Sequence, residues 1–160
     1  KGALYLLRAI RRLAPHVRLV IYTTAPIDPV FRHEFSGLDV EVKAGLSNAQ
    51  LAEDITKADV MALPSIAEGF GLPVLESVAH GKPCVCSGRG ALGEAAAGGG
   101  CLTLSTVNAT ELAGAIGRLL AEPAALAELS TQARRRPIRT WRHHATDLTA
   151  WIAELRAARS

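Results

Sequence analysis

The segment PSIAEGFGLPVLESVAHGKPCV, residues 64–85, decides the fold of this chain. The apolar run DVMALPS (59–65) that leads into it predicts a strand, and KPCVCS (82–87) at its end predicts a second strand. Between them, the residues from Pro73 to about His80 predict a helix, because proline fits the first turn, where its missing N–H would have no intrahelical partner. A strand, a glycine-bearing loop, a helix and a strand in this order predict a crossover connection between parallel strands.

The flanking sequence repeats this alternation of strands and helices. Helical spacing or capping residues mark ALYLLRAIRRLA (3–14), IDPVFRHEFSG (27–37), SNAQLAEDITKA (47–58) and NATELAGAIGRLLAEP (108–123), and strands are predicted at VRLVIYT (17–23), LDVEVKAG (38–45) and CLTLS (101–105). Helices follow to the end, with Trp141 and Trp151 expected to anchor the core. The sequence therefore predicts an α/β, Rossmann-like parallel sheet with helices on both faces.

Composition excludes several classes of protein. The 160 residues suit one domain, 49% of them are hydrophobic and only 4% are aromatic, so Ala, Leu, Val and Ile must build the core. No apolar run approaches the roughly 20 residues of a membrane-spanning helix, and no secretory signal opens the chain. Cys84, Cys86 and Cys101 match no zinc spacing, so buried thiols in a reducing cytoplasm are expected.

The basic residues are concentrated late in the chain, in ARRRPIRTWRHH (133–144), although the net charge is only +3. This pattern is typical of a solvated helix face, and it leaves open a peripheral contact with an anionic membrane at the inner face of the cell. Nucleic acid is not an expected partner, because no glycine-aromatic pattern accompanies the basic residues.

The loop between the central strand and helix carries the chemistry. In open parallel sheets, ligands bind outside the carboxyl ends of the strands, where this loop lies. Gly69 and Gly71 permit positive φ and close approach of a ligand, and the amides at the helix N-terminus suit a phosphate or diphosphate. Glu68 and Glu76 could accept hydrogen bonds from sugar hydroxyls on either side of it. The combination indicates a nucleotide-sugar, although a glycine turn or a carboxylate near a helix start can also be purely structural.

The same segment closely resembles the E-x7-E signature of retaining glycosyltransferases of family 4, in the carboxyl-terminal domain of the GT-B fold. KG at 1–2 resembles the family's lysine motif, and residues 44–65, 90–105 and 140–155 resemble its flanking strands and closing helix. The resemblance implies that residues 1–160 are a donor-binding domain truncated at its start. The first strand, between Arg18–Thr23 and Asp59–Leu63, an arginine before Lys1 and the amino-terminal acceptor-binding domain would all be absent.

The resemblance also implies roles for particular residues. Lys1 and Glu68 would be catalytic, Lys1 by stabilising the departing nucleotide diphosphate and Glu68 by contacting the donor sugar. Glu76 would hold the ribose. The donor-contacting amides would be those of Gly69, Phe70, Gly71 and Leu72, and the backbone facing the nucleobase would be that of Val42, Lys43, Gly45 and Leu46. Glu94 would be structural.

The implied activity is retaining transfer of a hexosyl group from a nucleotide-diphosphate sugar to a glycan or lipid-linked acceptor, with no metal ion or other cofactor. This activity would belong to the full-length parent, and the isolated fragment would be inactive. Two alternatives stay open: a non-catalytic nucleotide-sugar-binding module, and a GT-B relative such as a nucleotide-sugar epimerase or a phosphorylase. A nicotinamide-dependent dehydrogenase is disfavoured, because no G-x-G-x-x-G follows a strand.

Overall fold

Strands and helices alternate along the chain in the computed structural model, which describes residues 2–158. Their bounds are α1 (Ala3–Leu13), β1 (Arg18–Thr23), α2 (Pro29–His33), β2 (Asp39–Ala44), α3 (Asn48–Lys57), β3 (Met61–Leu63), α4 (Leu72–Ala79), β4 (Cys84–Ser87), α5 (Gly90–Ala96), β5 (Cys101–Leu104), α6 (Ala109–Ala121), α7 (Pro123–Arg135) and α8 (Trp141–Ala157). Every strand and helix predicted from the sequence is present, and α5 is an additional helix.

The strands are parallel and form two sheets. β1 pairs with β2, in register from Arg18 opposite Asp39 to Thr23 opposite Ala44. The other sheet has the order β3-β4-β5, and β4 is its central strand. Among the described strands, β1 has only β2 as a partner and β3 has only β4. This separation lies where a strand was expected to be absent.

The central strand β4 is buried on both faces, which places the helices in two layers. Val85 packs in a cluster with side chains of α1 and α6, whereas Cys84 and Cys86 pack with side chains of α4 and α5. Because successive side chains of a strand point to opposite faces, the two clusters lie on opposite sides of the sheet. The prediction of a parallel sheet with helices on both faces is confirmed, and so is the burial of Cys84 and Cys86 as free thiols.

Side-chain caps start several helices where the sequence predicts them. The Asp28 carboxylate accepts a hydrogen bond from the Val30 amide at the start of α2. Ser47 and Gln50 form the complete capping box of α3, in which each side chain bonds the other residue's backbone amide. At α6 the Asn108 side chain accepts from two amides, but the reciprocal half of the predicted box, from Glu111, is not formed.

The last helix, α8, is exposed along its whole described length. Trp141 and Trp151 are 82% and 56% exposed, so the expectation that they anchor the core is wrong. The basic segment before α8 is mostly exposed too; Arg136 donates to the Gly99 carbonyl and Arg139 pairs with Asp147. A peripheral membrane contact stays a prediction. Of the helices described, none is both long enough and apolar enough to cross a membrane.

Candidate functional site

The loop from Pro64 to Gly71 leaves the carboxyl end of β3 and leads directly into α4. Gly71 is the N-cap of α4, in the left-handed conformation with φ +83°, and Pro73 lies in the first turn, as predicted. A Cβ atom at Gly71 would lie only 3.1 Å from the Cβ of Ala95 in α5. Both the left-handed backbone and this close packing therefore favour glycine at this position. α4 and α5 therefore hold the end of the loop in place.

Gly69 does not use the positive φ that glycine permits. Its φ is not in the positive range, and a Cβ added there would meet no atom within 4 Å. Of the two glycines of the loop, Gly71 has the positive φ and Gly69 does not. The open space beside Gly69 still leaves the backbone accessible to a ligand.

Four consecutive amides of the loop have no acceptor within residues 2–158: those of Gly69, Phe70, Gly71 and Leu72. No side chain caps the N-terminus of α4 either. The first turn of a helix carries about half a positive charge and unpaired N–H groups, which together favour an anion. Both Phe70 and Leu72 expose their side chains, at 64% and 52%, beside these amides. The loop thus has the physical properties of a phosphate-binding site.

Glu68 lies just before these amides and is held by a buried hydroxyl. The Ser65 Oγ–H donates to Glu68 Oε1 at 2.6 Å, and Ser65 is only 3% exposed. Glu68 itself is half-buried. A hydrogen bond this short is typical of a hydroxyl donating to an ionised carboxylate. Sequence reasoning missed Ser65, although its place directly after the strand and Pro64 is visible in the motif.

Glu76 lies on the other side of the amides, as the fifth residue of α4. It is exposed, and within the described part of the chain its carboxylate has no hydrogen-bond or ion-pair partner. The two glutamates therefore flank the start of α4, with Glu68 before it and Glu76 one turn inside it. Both carboxylates can accept hydroxyl hydrogen bonds.

The start of α1 also meets this loop. A Cβ atom at Gly2 would lie 1.8 Å from the Pro64 carbonyl oxygen, so only a residue without a Cβ allows the two backbones to approach this closely. The contact brings the uncapped N-terminus of α1 to the carboxyl end of β3. Gly2 belongs to the KG motif noted in the sequence, but its approach to Pro64 was not predicted, because the two residues are distant along the chain. The predicted catalytic residue Lys1 lies outside the described residues.

The four nucleobase candidates lie at the carboxyl end of β2, in the other sheet. Val42 is 37% exposed, and Gly45 and Leu46 follow the strand directly. The Lys43 ammonium donates to Asp54 Oδ2 of α3 at 2.6 Å, and this hydrogen bond raises the pKa of Lys43. The Lys43 side chain therefore ties β2 to α3, which leaves its backbone as the group that could face a base.

Within residues 2–158, no group of three or more His, Cys, Asp or Glu residues is arranged to hold a metal ion. The independence of metal stays a prediction.

The fold is the Rossmann-like, carboxyl-terminal fold of GT-B glycosyltransferases. Sucrose-phosphate synthase from Thermosynechococcus elongatus superposes with a TM-score of 0.81 and 25% sequence identity, over 98% of this chain and 43% of that protein. A sequence model of the family described as glycosyl transferases group 1 matches residues 1–122. The chain belongs to this family, and the resemblance stated above is confirmed.

Two curated relatives come from species of Mycolicibacterium. The MMP alpha-(1->4)-mannosyltransferase of Mycolicibacterium hassiacum is 36% identical over 146 residues, which cover 86% of this chain and 36% of that enzyme. The alpha-maltose-1-phosphate synthase of Mycolicibacterium smegmatis is 31% identical over 162 residues, which cover 89% of this chain and 42% of that enzyme. The chain therefore spans less than half the length of the relatives that it matches.

Proposed function

We propose that this chain is the donor-binding domain of a retaining glycosyltransferase that uses a nucleotide-diphosphate sugar. The observation that carries the proposal is the row of four amides from Gly69 to Leu72, which have no acceptor within residues 2–158 and lie between Glu68 and Glu76. A diphosphate satisfies these donors. Membership in the glycosyl transferases group 1 family supports a sugar-transfer reaction.

The two carboxylates fix the direction of the donor in this proposal. Glu76, on the exposed face of α4, accepts hydrogen bonds from the ribose hydroxyls, and Glu68, before the amides, accepts them from hydroxyls of the hexose. The diphosphate lies between them at the N-terminus of α4. Backbone groups near Gly45 face the nucleobase, so a change of side chain there lowers nucleotide affinity less than a change at Glu76.

In the reaction, the bond between the anomeric carbon and the diphosphate oxygen breaks, and the acceptor oxygen bonds the anomeric carbon with the same anomeric configuration. The proton of the acceptor hydroxyl passes to the departing diphosphate. Negative charge develops on the departing diphosphate as this bond breaks. The amides of Gly69 to Leu72 and the positive end of the α4 dipole stabilise that charge in advance. Lys1 adds a positive charge to the same group, and no metal ion is needed.

The acceptor is a glycan or a lipid-linked sugar, and it binds to parts of the full-length protein outside residues 1–160. Residues 1–160 alone bind the donor but do not turn it over. The named mannosyltransferase and maltose-1-phosphate synthase relatives support transfer of a hexosyl group.

Calorimetric titration tests the proposal. The longest soluble protein that contains residues 1–160 is titrated with UDP, GDP and ADP and with UDP-glucose, GDP-mannose and ADP-glucose. We expect saturable binding to one nucleotide class, weakened on the order of 10- to 100-fold by Glu76→Ala for nucleotide and nucleotide-sugar alike, because a hydrogen bond to a charged group contributes about 1.5–3 kcal/mol.

Glu68→Ala is the matched comparison, since it removes the other carboxylate of the same loop and helix. It should spare the bare nucleotide and weaken only the additional affinity that the sugar provides. If Glu68→Ala weakened the binding of both ligands equally, the proposed orientation of the donor would be wrong. No binding of any nucleotide to the folded protein would overturn the donor site altogether.

A further inference from the structure

Ser65 is a buried hydroxyl beside the proposed sugar contact, and its hydrogen-bond partner among residues 2–158 is a carboxylate. It follows β3 and Pro64 directly, it is 3% exposed, and its Oγ–H donates to Glu68 Oε1 at 2.6 Å. In the described part of the chain, the two other buried serines bond to backbone groups: Ser77 donates to the Lys82 carbonyl, and Ser87 accepts from the Arg89 amide. Ser65 is therefore placed to act on a side chain of the site.

The backbone at Ser65 is held by its neighbour Pro64. Pro64 has a restricted φ, and its carbonyl is packed against Gly2 at the start of α1. Glu68 lies three residues further along the same loop, which has no regular secondary structure. A glutamate side chain has several rotatable bonds, whose freedom is lost when it binds a ligand. A hydrogen bond from a fixed hydroxyl removes part of that freedom before the ligand arrives.

The bond leaves the carboxylate able to bind a sugar. Two carboxylate oxygens offer about four acceptor positions in total, and the Ser65 hydroxyl uses one of them. The orientation that this bond selects decides where the remaining positions point. A pair of hexose hydroxyls is recognised only when these positions point towards the sugar.

We propose that Ser65 is a positioning residue, which orients the Glu68 carboxylate towards the hydroxyls of the donor hexose. This inference rests on the proposed function. Ser65 acts through Glu68, and it contributes to recognition of the sugar and not of the nucleotide.

The variants Ser65→Ala and Ser65→Cys test this role, and Ser77→Ala is the matched control. Ser77 is 0% exposed, and its hydroxyl donates to a backbone carbonyl at the far end of α4. Both alanine variants lose a buried hydroxyl, but only one loses a bond to Glu68. Ser65→Cys keeps the shape of the side chain with a weak donor, so it remains informative if Ser65→Ala does not fold.

The measurement is the ratio of affinities for the nucleotide-sugar and the bare nucleotide, with the pair that binds in the titration above. Ser65→Ala should lower this ratio on the order of tenfold, as expected for loss of a hydrogen bond to a charged group. Ser65→Cys should lower it by less. Ser77→Ala should leave the ratio unchanged, even where it lowers the denaturation midpoint by as much as Ser65→Ala does.

The double variant Ser65→Ala/Glu68→Ala shows whether Ser65 acts through Glu68. Once the carboxylate is gone, loss of the hydroxyl should not lower the ratio further. If the double variant lowers the ratio by the product of the two single fold-changes, the two residues act independently, and this result contradicts the positioning role. If Glu68→Ala lowers the ratio and Ser65→Ala does not, only the inference about Ser65 is wrong. If Glu68→Ala has no effect, the proposed sugar contact is wrong as well.

Discussion

Gly69 and Gly71 stand two residues apart in the same loop but meet different physical requirements. Gly71 has the left-handed backbone that starts α4, and a Cβ added to it would lie 3.1 Å from the Cβ of Ala95. Gly69 has neither feature, and the space beside it is open. The motif shows two equivalent glycines, so their difference is visible only in the structure.

Alanine substitutions separate the two requirements. Gly71→Ala should lower the free energy of unfolding by about 1–2 kcal/mol for the left-handed backbone alone, before any cost of the contact with Ala95. Gly69→Ala should change it by less than about 0.5 kcal/mol, yet weaken nucleotide binding, because its methyl group projects beside the amides of the loop. Urea denaturation and calorimetric titration measure the two effects. Normal nucleotide affinity in Gly69→Ala would show that the ligand does not approach this part of the backbone.

At the scale of elements, α6 begins at a side-chain cap that the sequence predicts. The Asn108 side chain accepts from the amides of Thr110 and Glu111, each at 2.9 Å. α6 contributes Leu112, Ile116 and Leu119 to a buried cluster, so its stability is coupled to the core. The cap therefore contributes to the stability of the buried cluster that α6 forms with α1 and β4.

Loss of this cap has a predictable cost. Asn108→Ala should lower the free energy of unfolding by about 1 kcal/mol, and Asn108→Asp should leave it nearly unchanged, because aspartate accepts the same two hydrogen bonds. Chemical denaturation of the three proteins measures the difference. An Asn108→Asp variant as unstable as Asn108→Ala would mean that the amide group, and not the accepting oxygen, matters.

Features that depend on residues close together in the sequence were predictable, and features that depend on contacts between distant residues were not. The capping box at Ser47 and the proline in the first turn of α4 act within a few residues, so the pattern reveals them. α5 was missed because it is glycine-rich and has no side-chain cap. The bond from Ser65 to Glu68 and the approach of Gly2 to Pro64 depend on side-chain direction and on residues far apart in sequence. The position of Glu68 and Glu76 around α4 followed from spacing alone.

At the scale of the whole molecule, the reactivity of the cysteine thiols in the three-stranded sheet measures how readily that sheet opens. Cys84 and Cys86 are 1% and 0% exposed in the central strand, and Cys101 is partly exposed in the neighbouring strand. The hydrogen bond to Cys101 lowers the pKa of Cys86, but the bond to Cys84 and burial outweigh it and raise the pKa to about 12. The hydrogen bond to Cys86 and burial raise the pKa of Cys101 as well.

Thiol labelling should therefore be slow in the native protein. A raised pKa leaves little thiolate near neutral pH, and the thiolate is the reactive form. With iodoacetamide at pH 8, Cys101 should be labelled before Cys84 and Cys86, because its side chain is partly exposed and theirs are buried. All three should react rapidly in urea. Mass spectrometry of the labelled peptides gives the order. Rapid native labelling of Cys86 would mean that β4 opens far more readily than a buried central strand should.

The division of the strands into two sheets has a consequence for handling the protein. β1, with the sequence RLVIYT, is six residues long and pairs only with β2 among the strands described, so its other edge offers unpaired backbone donors and acceptors. β3 offers a similar edge, but it is only three residues long. A long apolar edge strand can pair with an extended segment of another molecule. In a concentrated solution, such pairing between copies of this protein leads to aggregation. We therefore expect solubility on concentration to depend on access to this side of β1, independently of how well the sugar donor binds.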